Sequence, residues 1–169
     1  MSNVLVEGNL CFTFMNYDDV KRFDDSTINP YGLNVVDFIA ESEDTLYFIE
    51  VKDYQHPKSQ RRDEDLMMLK EVIRNKKHIF SVQMGAKIKD SLLRWYAEGQ
   101  MLNKIAVYLL FINLNLLGET ERGMLREKIS FHVPTGLNDV RFTAFNEIRF
   151  DLVNSDQLLK YGIMCTAIN

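Results

Sequence analysis

Apolar and polar positions fall along the chain in blocks whose spacing predicts elements. Leu10 to Met15 is apolar and β-prone, which predicts a strand. Asn16 or Asp18 then caps a short helix that carries Val20 and Phe23 on its inner face. Asn29-Pro30-Tyr31-Gly32 is a turn signal. Leu33 to Ala40 reads as a strand, Glu41 to Thr45 as a polar turn and Leu46 to Tyr54 as a second strand. From Arg62 the period becomes helical, with Leu66, Leu69, Val72 and Ile73 recurring between charges. A further helix is predicted from about Gly85 to Tyr96, with Ile88, Leu92 and Trp95 inward. Lys104 to Asn113 is apolar through its middle, as a strand covered on both faces would be. Glu119 to Ile129 reads as a helix, and Arg141 to Asn146 and Ile148 to Val153 as strands. Ser155 is placed to cap a last short helix through Tyr161.

That order predicts a mixed central β-sheet flanked by helices, an α/β or α+β layered fold. With 169 residues, 46% of them hydrophobic, one domain over 1–169 with a sizeable core is expected. Cys11 and Cys165 show no metal-ligand spacing and read as two buried thiols. The N-terminus lacks a signal-peptide layout, and the longest apolar run, Ile105 to Ile112, is too short to span a bilayer. A soluble, cytoplasmic protein with no membrane contact is expected.

Charge changes the picture by its distribution rather than its sum. The net charge is −4, yet residues 1–50 carry 2 basic and 10 acidic side chains. Residues 51–95 carry 11 basic and 6 acidic, and residues 96–169 carry 7 and 8. The middle segment is therefore where a phosphate-facing surface is to be sought, although a solvated helix face has the same composition.

Candidate chemistry lies in the predicted hairpin. Asp37 interrupts Val35-Val36-Asp37-Phe38-Ile39, and Glu50 and Lys52 interrupt Tyr47-Phe48-Ile49-Glu50-Val51-Lys52. Charged groups inside apolar strands are desolvated at a cost unless something compensates them. Strand alternation puts Glu50 and Lys52 on one face, and a turn over Ser42 to Thr45 sets Asp37 opposite Glu50 on that same face. Two opposed carboxylates repel unless a cation lies between them, and a hard divalent ion such as Mg²⁺ (Mn²⁺ as substitute) fits that role. The carbonyl of Val51 is a further candidate ligand. Lys52 is placed to steer or help deprotonate a metal-bound water. The plainer alternative pairs Asp37 and Glu50 with Lys52 or Lys21 on a half-exposed sheet face.

Asp37 and the triplet Glu50-Val51-Lys52 resemble the motif of the PD-(D/E)xK nuclease superfamily, over a stretch of about residues 10–115. Val36 stands where that motif names a proline. Many members carry an acidic residue on an early helix, for which Glu7, Asp18 and Asp19 are candidates here. The resemblance implies a restriction-endonuclease-like fold and a Mg²⁺-dependent nuclease, with Asp37 and Glu50 on the metal and Lys52 on the water; it does not specify the substrate, for which DNA is expected ahead of RNA and an endonuclease action ahead of others. Lys58, Arg61 and Arg62, just past the second strand, are then candidates to hold phosphates, as is Lys87 at the start of the predicted Trp95 helix. So short a chain leaves little room for a sequence-reading domain, so a homodimer or a partner subunit is expected to choose the target. The alternative is a catalytically inactive nuclease-fold module that binds or scaffolds within a larger complex. A third reading is a phosphodiesterase of small nucleotides.

Overall fold

A computed structural model describes residues 3–25, 32–56, 61–75, 78–100, 104–137 and 147–168. Three layers stack in it. A three-stranded antiparallel sheet, β1 (Asn3–Glu7), β2 (Leu10–Phe14) and β8 (Ile163–Ala167), lies on one face of a five-stranded mixed sheet. The larger sheet has the order β3 (Asp19–Arg22), β4 (Phe38–Glu41), β5 (Thr45–Asp53), β6 (Ile105–Asn113), β7 (Glu147–Val153). Its first two pairings are antiparallel and its last two parallel. Helices α1 (Arg62–Arg74), α2 (Ile79–Ala97) and α3 (Glu119–Ser130) pack on the other face. Among the described residues no helix is long and apolar enough to cross a membrane.

Alternation along the central strands builds two cores. Leu46 and Phe48 of β5, with Ala106, Tyr108, Leu110 and Ile112 of β6, pack with Leu69 and Val72 of α1 and Ile88 and Trp95 of α2. Ile49 and Val51, with Val107, Leu109 and Phe111, face Phe12 and Phe14 of the small sheet. Strand β6 is buried on both sides, as its unbroken apolar run requires. Phe12 meets both Phe38 and Phe111 edge-on, at ring separations of 5.4 and 5.5 Å, which ties the two sheets together.

Several elements differ from the sequence expectation. The helix expected after Asn16 is instead strand β3, whose backbone pairs with β4 in the register Arg22↔Phe38. Val20 and Phe23 sit three apart, a spacing that suits a helix but occurs by chance in so short a run. The strand expected over Leu33 to Ala40 begins only at Phe38. Ahead of it the backbone is bound by α2: Ser91 Oγ accepts from Val36 N at 2.9 Å, and Lys87 Nζ donates to Val35 O at 2.9 Å. Helix α2 starts at Ile79, six residues before Gly85, with His78 Nδ1 accepting from Phe80 N at 3.2 Å. Gly85 is therefore a contact point inside the helix. A Cβ there would lie 2.4 Å from His132 Cβ and 2.6 Å from His132 O. Strands β1 and β8 had no predicted counterpart. A short helix, α4 (Ser155–Leu158), runs into a 3-10 turn at Leu159–Tyr161 and is capped by Asn154 rather than Ser155. The strand expected over Arg141 to Asn146 lies outside the described residues. Cys11 and Cys165 are free and half-buried rather than buried.

Candidate active site

The β4–β5 hairpin turns at Ser42 to Thr45, where Ser42 N donates to Thr45 O at 2.9 Å. Its register, Phe38↔Ile49, carried one residue outward places Asp37 opposite Glu50 on the helix-facing side. Both carboxylates are buried, Glu50 completely and Asp37 to 7% exposure. Asp37 Oδ2 accepts a 2.6 Å hydrogen bond from the backbone N–H of Val51, which locks the carboxylate to the strand beside it.

Glu50 is held by two lysines. Lys52 Nζ, two residues along the same face, lies 2.6 Å from Oε1. Lys87 Nζ reaches down from α2 to 3.0 Å from Oε2, an ion pair off the line of a hydrogen bond. The sequence placed Lys87 at a helix N-terminus facing phosphate. With α2 beginning at Ile79, it lies well inside the helix and points into the protein. Of the pairings in the plainer alternative, Glu50 with Lys52 forms, while the Lys21 ammonium lies over the Trp95 ring, 5.1 Å from the centroid.

Burial and the neighbouring Glu50 charge push the Asp37 carboxyl up to about 7, against the opposing pull of the Val51 N–H and Lys87. Burial also raises the hydroxyls of Tyr54 and Tyr108, and the Glu50 charge adds to both. The Tyr108 hydroxyl finds no hydrogen-bond partner among the described residues. The site is thus a buried cluster with more negative charge than its own strand can neutralise.

Further carboxylates converge on Asp37 from elements that sequence reasoning did not join. Glu7 ends β1 and Asp24 follows β3, and ligand oxygens of Glu7, Asp24 and Asp37 all lie within 4.8 Å of one another. Arg22 forks between the outer two, at 2.8 Å from Glu7 and 3.0 Å from Asp24, and also bonds the carbonyl of Val6. Among the three acidic candidates for an additional ligand, Glu7 is the one brought to Asp37, and it lies on a strand rather than a helix. Asp19 pairs with Glu41 at the far end of β4, and Asp18 donates its backbone N–H to the same residue. Asp24 carries no local signal, because only the packing of β1 beside β3 gives it a role.

The remaining candidates sit at the start of α1. Arg61 is exposed and 3.7 Å from Glu64, and Arg62 donates to Gln55 O at 3.4 Å, just beyond the end of β5. Neither enters the Asp37–Glu50 cluster. Lys58 lies outside the described residues. Two open clefts of about 630 Å³ lie elsewhere, one along β7 and one past the end of β6. No family model, curated protein or solved structure matches the chain.

Proposed function

We propose that the chain is a Mg²⁺-dependent endonuclease of the PD-(D/E)xK kind, with a restriction-endonuclease-like core and DNA as its substrate. The observation that carries this reading is the convergence of Asp37, Glu50 and Lys52 on one buried face, where among the described residues two opposed carboxylates are compensated by Lys52, Lys87 and the Val51 N–H. The donor set fits a hard divalent ion. Asp37 belongs to one grouping with Glu7 and Asp24, and it lies opposite Glu50, for which the Val51 carbonyl is the expected co-ligand. The grouping with Glu7 and Asp24 has its oxygens within reach of one another, whereas Glu50 is committed to lysines. When bound, such an ion supplies a Lewis acid and a water of lowered pKa.

The chain's own residues then divide the work. Asp37, fixed by the Val51 N–H, holds its place at the junction of β4 and β5. Glu50 orients the Lys52 ammonium, which is partly exposed and able to position a water and stabilise charge on a phosphate oxygen. Lys87 neutralises the buried side of Glu50 and ties it to the Val35 carbonyl. Arg22 bridges Glu7 and Asp24 and balances their charge, and these two with Asp37 are the residues that would hold a cation. The core differs from the family pattern in having strand β3 where an early helix is expected.

The test is cleavage of supercoiled plasmid and of single-stranded DNA with Mg²⁺, Mn²⁺ or EDTA. Nicking that requires the ion and disappears in Asp37→Asn and Glu50→Gln is the expected result. Absence of both divalent-ion binding by calorimetry and cleavage by the wild type overturns the reading. The double lysine clamp on Glu50 favours a second reading, a nuclease-fold module that binds without cutting, and retention of DNA with no turnover would select it.

A further inference from the structure

The small sheet shows solvent a face without charge. Directly opposed residues of antiparallel strands share a face, so the register groups Val4, Thr13 and Met164 in one row and Val6, Cys11 and Thr166 in the next. The intervening row, Leu5, Phe12 and Cys165, points inward to the core between the sheets. Met15 and Ile168 extend the outer face at two corners, where Met15 N bonds Gly162 O and Ile168 N bonds Asn9 O. Five of these side chains, Val4, Val6, Met15, Met164 and Ile168, are large apolar groups between 41 and 52% exposed. Scattered apolar residues are ordinary on a protein surface, whereas a contiguous group on one face is a candidate contact surface.

We propose that this face packs against the same face of a second copy of the chain. The chemistry narrows the occupant. Nucleic acid is held through phosphates by lysine and arginine, and this face offers neither. A charged peptide finds no complementary charge there. A copy of the same face brings no charge into the contact, and the repulsion between two chains of net charge −4 acts from outside it and is screened by salt. Eight side chains, each partly exposed, offer on the order of 500 Å² per copy, so the pair reaches about 1,000 Å², the lower bound of a specific interface. An interface of this size belongs to weak, reversible dimers, so the equilibrium is sought over a wide range of concentration. With the two-fold axis set along β2, the central strand, β2 of each copy lies over its counterpart. Cys11, outward on β2, then faces Cys11 of the partner copy, whereas Cys165 stays inside. The inference is independent of the metal chemistry.

Sedimentation of the full chain from about 1 µM to about 1 mM tests it, with a short bismaleimide as a thiol probe. A concentration-dependent monomer–dimer equilibrium and a cross-linked dimer lost in Cys11→Ser but kept in Cys165→Ser are expected. Val6→Lys and Met164→Lys, both outward and checked for an unchanged circular dichroism spectrum, should each weaken the dimer by at least about tenfold. A chain that stays monomeric over the whole range overturns the proposal. So does a dimer that ignores both lysine variants and gives no Cys11 cross-link.

Discussion

Lys52 and Lys87 reach the same carboxylate from different elements and with different exposure, so removing each should have a different consequence. The Lys87 side chain is 13% exposed and that of Lys52 28%, and Glu50 between them is fully buried. Deleting the inner partner leaves a buried charge half-compensated, which typically costs about 3 kcal/mol. Lys87→Met should therefore lower stability to urea by about that amount. Lys52→Met should cost less than that, because solvent reaches the partly exposed Lys52 position, yet reduce the proposed Mg²⁺-dependent cleavage by about 10²- to 10⁴-fold. Equilibrium unfolding and single-turnover cleavage of the two variants separate the roles, and a Lys52→Met protein that cleaves at the wild-type rate removes that lysine from the chemistry. The Glu50–Lys52 part of the site was legible because strand alternation is local. Lys87, Glu7 and Asp24 were not, because each arrives from another element and only tertiary packing sets its distance.

At the scale of the element, length and continuity decided what could be read. Strands β5 and β6, nine residues each, carry enough apolar positions to be unambiguous. Strand β3 has four residues, Asp19-Val20-Lys21-Arg22, and its polar composition belongs to a sheet edge, where charges discourage further pairing. The same composition suits a helix, and the helical spacing of Val20 and Phe23 misdirected the reading. Gly85 misdirected it in another way, since a glycine that serves packing looks like a boundary. Its role can be tested directly. Alanine in place of glycine inside a helix ordinarily gains up to about 1 kcal/mol. At position 85 the added methyl would collide with backbone as well as side-chain atoms of His132, so helix and loop must separate. Gly85→Ala should destabilise the protein by about 1–3 kcal/mol, the range found for overpacked cores. A gain in thermal stability for this variant would mean that α2 and His132 do not approach so closely.

For the whole molecule, the layered fold places the acidic cluster where folding has to oppose it. Asp37 lies at the junction of β1, β3, β4 and β5, removed from water and facing Glu50 and Glu7, and its carboxyl titrates near 7 instead of in the usual range. A group with a folded pKa raised above its unfolded value binds more protons in the native state between the two. Unfolding free energy from this source therefore falls as pH rises from about 4 to about 7 and is level above that. A shift of this size amounts to about 4 kcal/mol of lost stability at pH 8 in the metal-free protein. Asp37→Asn keeps an oxygen for the Val51 N–H but carries no charge, so it should be more stable than wild type at pH 8 and nearly equal to it at pH 4. A divalent ion bound to the carboxylates should reverse the difference, raising wild type at pH 8 while leaving Asp37→Asn unchanged. Urea unfolding of both proteins at pH 5 and 8, with EDTA and with Mg²⁺, measures how the difference between them depends on pH and on the ion. If the wild-type minus Asp37→Asn difference does not change with pH, the carboxyl is not strained by its neighbours. If it changes with pH but not with the ion, the strain is present without a metal to relieve it, and the cluster serves something other than metal-dependent cleavage.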